Sequence, residues 1–418
     1  MATENGWKQK EFIITMWCPP PATDQNIDTL LRDGYNLTNV AFANSWGQVV
    51  NNPIGLLDLA QNHGIKSLFY DPLLVPDSLD DPAKKAKLDE LIDILRKLPA
   101  FEGYHLADEP SAPMFSDWAR LVKYLKERDP EHLAYINLLP TYASQQQLGV
   151  FLTEPISGPL GIPDNFAGIG DYEETIKFYN EHLRLYIETV NPELISYDHY
   201  HFLNFEDTPD GEQYFLNLEL IKNASQKAGV PFMNIVQCCS GEKVWRLPNQ
   251  NELRWLAYTT MAYGGRGICW FLHSGTVSQG GLYQDEKRMP IADWVANVNQ
   301  DIKALGPQLM KLSGTQVYHT DPLPLGTQSI ANGCPVYVTG GQFVVGMFAE
   351  EGKLNAFMIM NRDYKTNSTA HLTLDMGKGK LMEFSIADGE WIEVQSVIPG
   401  SAIDVDLIPG GGKLFCLR

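Results

Sequence analysis

Basic residues are scarce in this chain: 32 Lys and Arg stand against 51 Asp and Glu, leaving a formal net charge of -19 and a pI near 4.8. Gripping nucleic acid or an anionic membrane requires clustered cations, so no nucleic acid partner is expected and neutral substrates fit better. Cysteine is sparser still, six in 418 residues, too few for a disulfide framework. Cys18, Cys238, Cys239 and Cys269 fall in apolar strand-like runs and read as buried free thiols. No Cys-x-x-Cys or Cys/His spacing suggests zinc, and no Gly-rich loop ending in Gly-Lys-Ser/Thr is present to cradle a phosphate, so neither metal nor cofactor is expected. No stretch approaches the roughly 20 apolar residues of a membrane span, and residues 1–6 lack the basic and apolar parts of a signal region.

What the chain has is alternation. From residue 11 to about 273, short apolar runs alternate with longer amphipathic ones, the pattern of a parallel sheet with crossover helices. Eight strands are expected at 12–16, 39–42, 65–70, 103–106, 133–138, 194–197, 232–236 and 267–271. Helices are expected at 25–33, 53–62, 81–97, 114–126, 172–190 and 251–263, with a last one near 291–312. Eight such units close a (β/α)8 TIM barrel, assigned here to residues 1–313. The segment 142–171 breaks the repeat with Gly149, Gly158, Gly161 and Gly168 and reads as a long loop forming one wall of a cleft. After about residue 314 the pattern turns β-rich, with strands expected at 335–338, 343–348, 355–360, 370–374 and 413–417. A small antiparallel β-sandwich at 314–418, serving as a packing or accessory module, is the expectation.

Barrel active sites lie at the carboxyl ends of the strands, and the residues that follow each strand are polar or aromatic. They are Trp17, Asn44 with Trp46, Asp71, Asp108 with Glu109, Asn137, Asp198 with His199 and Tyr200, Gln237, and Trp270 with His273. The sharpest of these ends is the fourth, where 103–106 stops at Asp108-Glu109-Pro110. A strand-end Glu beside a proline is a proton-donor candidate, and burial or the neighbouring Asp108 would raise its pKa. Asp198 is a candidate second carboxylate, and Asp71 a weaker one that could equally cap its own turn. Trp17, Trp46, Trp245 and Trp270 are candidate stacking platforms for sugar rings, with His105, Asn137, His199, Tyr200, Gln237 and His273 as polar partners.

With its strand-four Asp-Glu-Pro and the run Leu253 to Phe271 that leads into the eighth strand, the chain resembles clan A glycoside hydrolases and related β-galactosidase-like barrels over residues 11 to about 313. The runs 343–361 and 407–415 resemble the β-sandwich common beside such barrels. The resemblance implies a hydrolase of O-glycosidic bonds in a neutral oligo- or polysaccharide, secreted or periplasmic, with Glu109 as acid/base. The strand-four motif of that clan is usually Asn-Glu-Pro, and Asp108 stands here in place of the Asn. The clan also places its nucleophilic Glu on strand seven, where this chain has Gln237, an amide that can neither attack nor act as a base. Three explanations stand open. Glu242 could enter from the loop, or Asp198 could act from strand six with the wider spacing that leaves room for an inverting water. Alternatively, the barrel is catalytically inactive and binds carbohydrate. The sequence carries no signal of oligomeric state.

Overall fold

The computed structural model describes residues 6–40, 52–151, 166–204, 211–241, 244–275 and 280–418. Trp46, Asn44 and Glu242 lie outside the described residues. Eight parallel strands come first: β1 (Ile13–Met16), β2 (Leu37–Asn39), β3 (Lys66–Phe69), β4 (Phe101–Asp108), β5 (Leu133–Leu138), β6 (Ile195–His199), β7 (Phe232–Gln237) and β8 (Gly267–Phe271). They form one sheet in the order β1-β8-β7-β6-β5-β4-β3-β2, a nearly closed TIM barrel. Around it run α1 (Asp24–Arg32), α2 (Pro53–His63), α3 (Pro82–Leu95), α4 (Phe115–Arg128), the short α5 (Gln145–Leu148), α6 (Glu173–Val190), α7 (Tyr214–Ala228), α8 (Gln250–Ala262) and α9 (Pro290–Leu309). Side-chain caps set several helix starts: the Asp81 carboxylate accepts from the amides of Ala83 and Lys84 at α3, and a reciprocal capping box of Asn249 and Glu252 opens α8. No helix among the described residues is long and apolar enough to cross a membrane.

The barrel's seam lies between β1 and β2, and one side chain stitches it. The Asn36 amide mimics a neighbouring strand, accepting from Ile14 N at 2.8 Å and donating to the Phe12 carbonyl at 2.8 Å, while its backbone N–H reaches Ile14 O at 3.1 Å. Trp7 closes the base. It packs with the inward side chains Ile13, Leu37, Leu68 and Leu133, and its indole donates to Glu102 at 2.8 Å.

After the small β9 (Ser274–Gly275), β10 (Tyr283–Gln284) and β11 (Lys287–Arg288) come the strands of the second unit. These are β12 (Leu312–His319), β13 (Val336–Thr339), β14 (Phe343–Glu350), β15 (Lys353–Asn361), β16 (Ser368–Leu374), β17 (Gly379–Ser385), β18 (Glu390–Val397), β19 (Ser401–Leu407) and β20 (Gly412–Leu417). A six-stranded sheet, β12-β14-β15-β20-β17-β18, packs on a three-stranded one, β13-β16-β19. The central strands of the six-stranded sheet, β14, β15 and β20, are buried on both faces, alternate side chains going to opposite sides. Phe343, Val345, Met347, Phe357, Ile359 and Phe415 meet the smaller sheet, whereas Val344, Phe348, Ala356, Met358, Met360 and Leu414 join the barrel's own core. That is why these strands read as continuous apolar runs. Contact with the barrel is close: a Cβ on Gly346 would lie 2.0 Å from the Ala262 carbonyl, so only glycine fits. The first strand of this unit starts at Leu312, two residues before the expected boundary.

Replacing Asn36 by Leu leaves the buried Ile14 N–H and Phe12 carbonyl without partners. We expect a loss of about 2–4 kcal/mol, read as a lower midpoint in urea with an unchanged slope.

Candidate active site

Inward and outward side chains alternate along each barrel strand, so strand parity decides what reaches the mouth. On β5, Tyr135 and Asn137 face inwards while Ile136 and Leu138 join the outer core. On β6, Ser196 and Asp198 face inwards while Ile195 and Tyr197 join the outer core. Strand β4 needs a correction to match them. Its register shifts between His105 and Ala107, so Leu106 and Ala107 both pack outwards and Asp108 pairs with Asn137. This bulge brings both His105 and Asp108 to the inside. The next residue, Glu109, has φ of +49°, and its N–H donates to the Asn137 carbonyl at 2.9 Å. The left-handed turn lifts its side chain out of the strand into the cleft, where it is exposed.

Three carboxyl groups therefore meet at the ends of β4 and β6. The Asn137 amide donates to Asp108 at 3.1 Å and to Asp198 at 3.0 Å. Asp198 is also hydrogen-bonded to Glu109. Burial first, then the charges of Glu109 and Asp108, hold Asp198 well above the ordinary carboxylate range, so it is the proton-bearing partner and donates to the Glu109 carboxylate. Asp108 is pushed up to about 6, chiefly by desolvation and secondarily by Glu109, against the lowering effect of Asn137. Its surface is open to water, yet it sits in a recess walled by protein, and the wall accounts for the desolvation. No Lys, Arg or His among the described residues lies within 4.0 Å of these carboxylates to neutralise them.

Aromatic side chains line the recess. Tyr200 packs against Trp245 and Phe271 with ring centroids 4.8 and 4.7 Å away, and its N–H meets the Tyr142 hydroxyl at 3.4 Å. Tyr142 is 46% exposed, and its hydroxyl is close enough to Asp198 and Glu109 to feel their charge. On the other side Trp17 stands edge-on to His105 at 5.3 Å. Together with Asn39, Tyr135 and Cys269 they bound a small cavity with room for about one water, roughly 20 Å³. His105 Nδ1 accepts from the Asn39 amide nitrogen at 2.9 Å, and burial holds its pKa down at about 4, hence neutral.

Several expected site residues are placed elsewhere. Trp270 is not a platform: it points outwards from β8, is fully buried, and donates to Asn299 of α9 at 2.8 Å. The next residue, Phe271, has the inward parity and meets the cleft instead. His199 likewise faces outwards, bonded to Asn217 of α7 at 2.9 Å, and burial lowers its pKa to about 3. His273 stacks on Tyr283 at 4.8 Å and bonds Ser274, its pKa also lowered to about 3, by burial and then by Arg288. Asp71 caps its own turn, its carboxylate accepting from Leu73 N at 2.8 Å.

Gln237 is fully buried and spent on backbone. It accepts from Phe202 N at 2.9 Å and donates to the carbonyls of Phe202 (3.1 Å), Cys239 (3.3 Å) and Arg246 (2.7 Å), tying together the loops after β6 and β7. It is a clamp and has no donor left for a substrate. The residues that the sequence did not single out are Tyr135, Tyr142, Ser196 and Phe271. Strand parity is the signal that would have found the first, third and fourth.

No protein-family model matches the chain, and no curated protein matches it. Solved structures with similar chain paths include the endo-β-1,4-mannanase from Thermotoga petrophila, at 10% identity and TM-score 0.42, covering 96% of this chain and 97% of that one. A putative α-galactosidase from Bacteroides fragilis aligns at 11% identity and TM-score 0.47, covering 99% and 78%. An endoxylanase from Clostridium papyrosolvens aligns at 9% identity and TM-score 0.42, covering 99% and 98%. At these values the likeness assigns no activity.

A carboxylate at position 237 would face three carbonyl oxygens. Gln237→Glu is therefore expected to cost about 3 kcal/mol or more in urea unfolding and to bring no gain in glycosidase turnover. A stable, more active variant would show that position 237 is an emptied nucleophile site.

Proposed function

We propose that this protein is a glycoside hydrolase acting on O-glycosidic bonds of a neutral oligo- or polysaccharide. The observation that carries the reading is the hydrogen-bonded Glu109–Asp198 pair with Asp108 beside it, at the carboxyl ends of β4 and β6. Glycoside hydrolysis needs one carboxyl group that holds a proton and another that has lost it, and this cluster supplies both near neutral pH. Glu109 is exposed to the cleft and Asp198 is not, so Glu109 meets the glycosidic oxygen and presents the proton that the pair shares. Asp198, behind it, stores that proton. Asp108, ionised above about pH 6, takes a proton from the incoming water or faces the positive charge that develops at the anomeric carbon. Tyr200, Trp245, Phe271 and Tyr142 supply apolar faces for sugar rings. A chain of net charge -19 with three acids at its centre repels uronic acids and suits uncharged sugars.

The resting contact between Glu109 and Asp198 is closer than the spacing of either a retaining pair, about 5 Å, or an inverting pair with its intervening water. Substrate must enter beside the pair, on the open Glu109 and Asp108 side, and not between its two members.

Glu109→Gln preserves the contact with Asp198 but cannot present a proton. We expect kcat/KM on aryl glycosides and on mannan, galactan or xylan oligosaccharides to fall about 10²–10⁴-fold, with stability within about 0.5 kcal/mol of wild type. Near-normal turnover by that variant overturns the assignment. In the pH profile of the wild type, activity should fall on the acid side with a midpoint near 6, as Asp108 takes up its proton. The alkaline limb should lie well above the ordinary carboxylate range, as the Glu109–Asp198 pair loses the proton that burial holds there.

A further inference from the structure

Behind the three carboxyl groups lies a buried hydrogen-bond chain. Tyr135 and Ser196 are linked hydroxyl to hydroxyl at 3.0 Å, and Ser196 Oγ donates to Asn137 Oδ1 at 3.0 Å. Asn137 then spends its Nδ2 hydrogens on Asp108 and Asp198. Proton counting fixes the direction of the whole chain. A serine has one hydrogen, and here it goes to the amide oxygen, so the Tyr135 hydroxyl must be the donor to Ser196. All of it is out of solvent: Ser196 is 0% exposed, Asn137 2% and Tyr135 3%.

We propose that Ser196, oriented by Tyr135, is a positioning residue that locks the Asn137 amide with its N–H groups on the two aspartates. This rests on the reading of the cluster as the catalytic centre. The lock matters because an amide has two orientations of nearly equal shape. The reversed one would set Oδ1 against two carboxyl groups, and Ser196 would have to turn its hydrogen to the Tyr135 oxygen and accept from the amide NH₂. With Ser196 present the reversal still gives up both hydrogen bonds to the aspartates. Without it, Oδ1 is a buried acceptor with no donor, and the amide is no longer held in place against the two aspartates.

Hydrogen bonds to the ionised form are what oppose burial at this site, so their loss raises both aspartates further. The groups facing the pair from other elements do not compensate. They are Glu109 on the turn after β4, Tyr142 after β5, Tyr200 after β6, Tyr179 on α6, Tyr197 on β6, Tyr135 itself and Cys269 on β8. Burial raises the pKa of each of these Tyr residues and of Cys269, so none of them carries charge near neutral pH.

The test is a titration of Asp108 in protein carrying ¹³Cγ-labelled Asp, run on wild type, Ser196→Ala, Ser196→Thr and Tyr135→Phe, with pH–rate profiles in parallel. In wild type the midpoint should lie near 6. In Ser196→Ala it should rise by about one pH unit, carrying the acid limb of the rate profile with it, so that activity falls more at pH 5 than at pH 8. Ser196→Thr should restore the wild-type midpoint, and Tyr135→Phe should move it in the same direction as Ser196→Ala by a smaller amount. An unmoved Asp108 midpoint in folded Ser196→Ala, or a loss of rate equal at every pH, overturns the proposal. If Ser196→Ala does not fold, Tyr135→Phe decides alone. Because the titration requires no substrate, a protein that hydrolyses no glycoside refutes the functional reading while the titration still judges the positioning role.

Discussion

One amide holds two acids together. Asn137 gives its two N–H bonds to Asp108 and Asp198, side chains that arrive from different strands and would otherwise repel each other and Glu109. Like charges in a low-dielectric recess cannot all stay ionised, so the cluster relieves itself by keeping a proton on Asp198 and by hydrogen bonding from Asn137. The chemistry proposed for the site is this compromise put to use: a proton held near neutral pH beside a carboxylate that has lost its own.

The rest of the molecule serves that geometry. The β4 bulge gives Asp108 the parity to pair with Asn137, and the left-handed turn at Glu109 lifts the third acid into the cleft. Gln237 ties the loops after β6 and β7, which carry Tyr200 and Trp245, to each other. The β-sandwich acts at one remove. Its inner face packs on α8, where Trp255 bonds the Arg362 carbonyl and stacks on His201, beside Phe202 and Tyr214. Residues of the second unit thus buttress the loop that follows Asp198, which gives the appended domain a structural role in the site without a catalytic residue of its own.

Periodicity and punctuation made the barrel readable. The runs at 133–138 and 267–271 match β5 and β8 end for end, because a buried parallel strand is a short apolar block bounded by breakers. The helix α7 was not singled out, since it is buried nearly all round and lacks a polar stripe. Glu109, Asp108, Asp198 and Asn137 were legible as strand-end polar residues, and the structure brings these four together. Trp270, His199 and His273 looked equivalent on the same grounds but face the wrong way. Strands buried on both faces carry no alternation, so nothing local says which neighbour points inwards; pairing across the barrel decides it. Likewise Gln237 looked like a gap in a mechanism and is a clamp, because its partners are backbone atoms far off in sequence.

The measurement that bears most directly on the central claim is a neutron structure of deuterium-exchanged crystals at pH 7. Deuterium should be found on the Asp198 carboxyl, directed at Glu109, with both Asn137 N–D groups on the aspartates and Asp108 bare. A pair with no deuterium between its members, or an Asn137 amide turned with its oxygen towards the acids, would contradict the account.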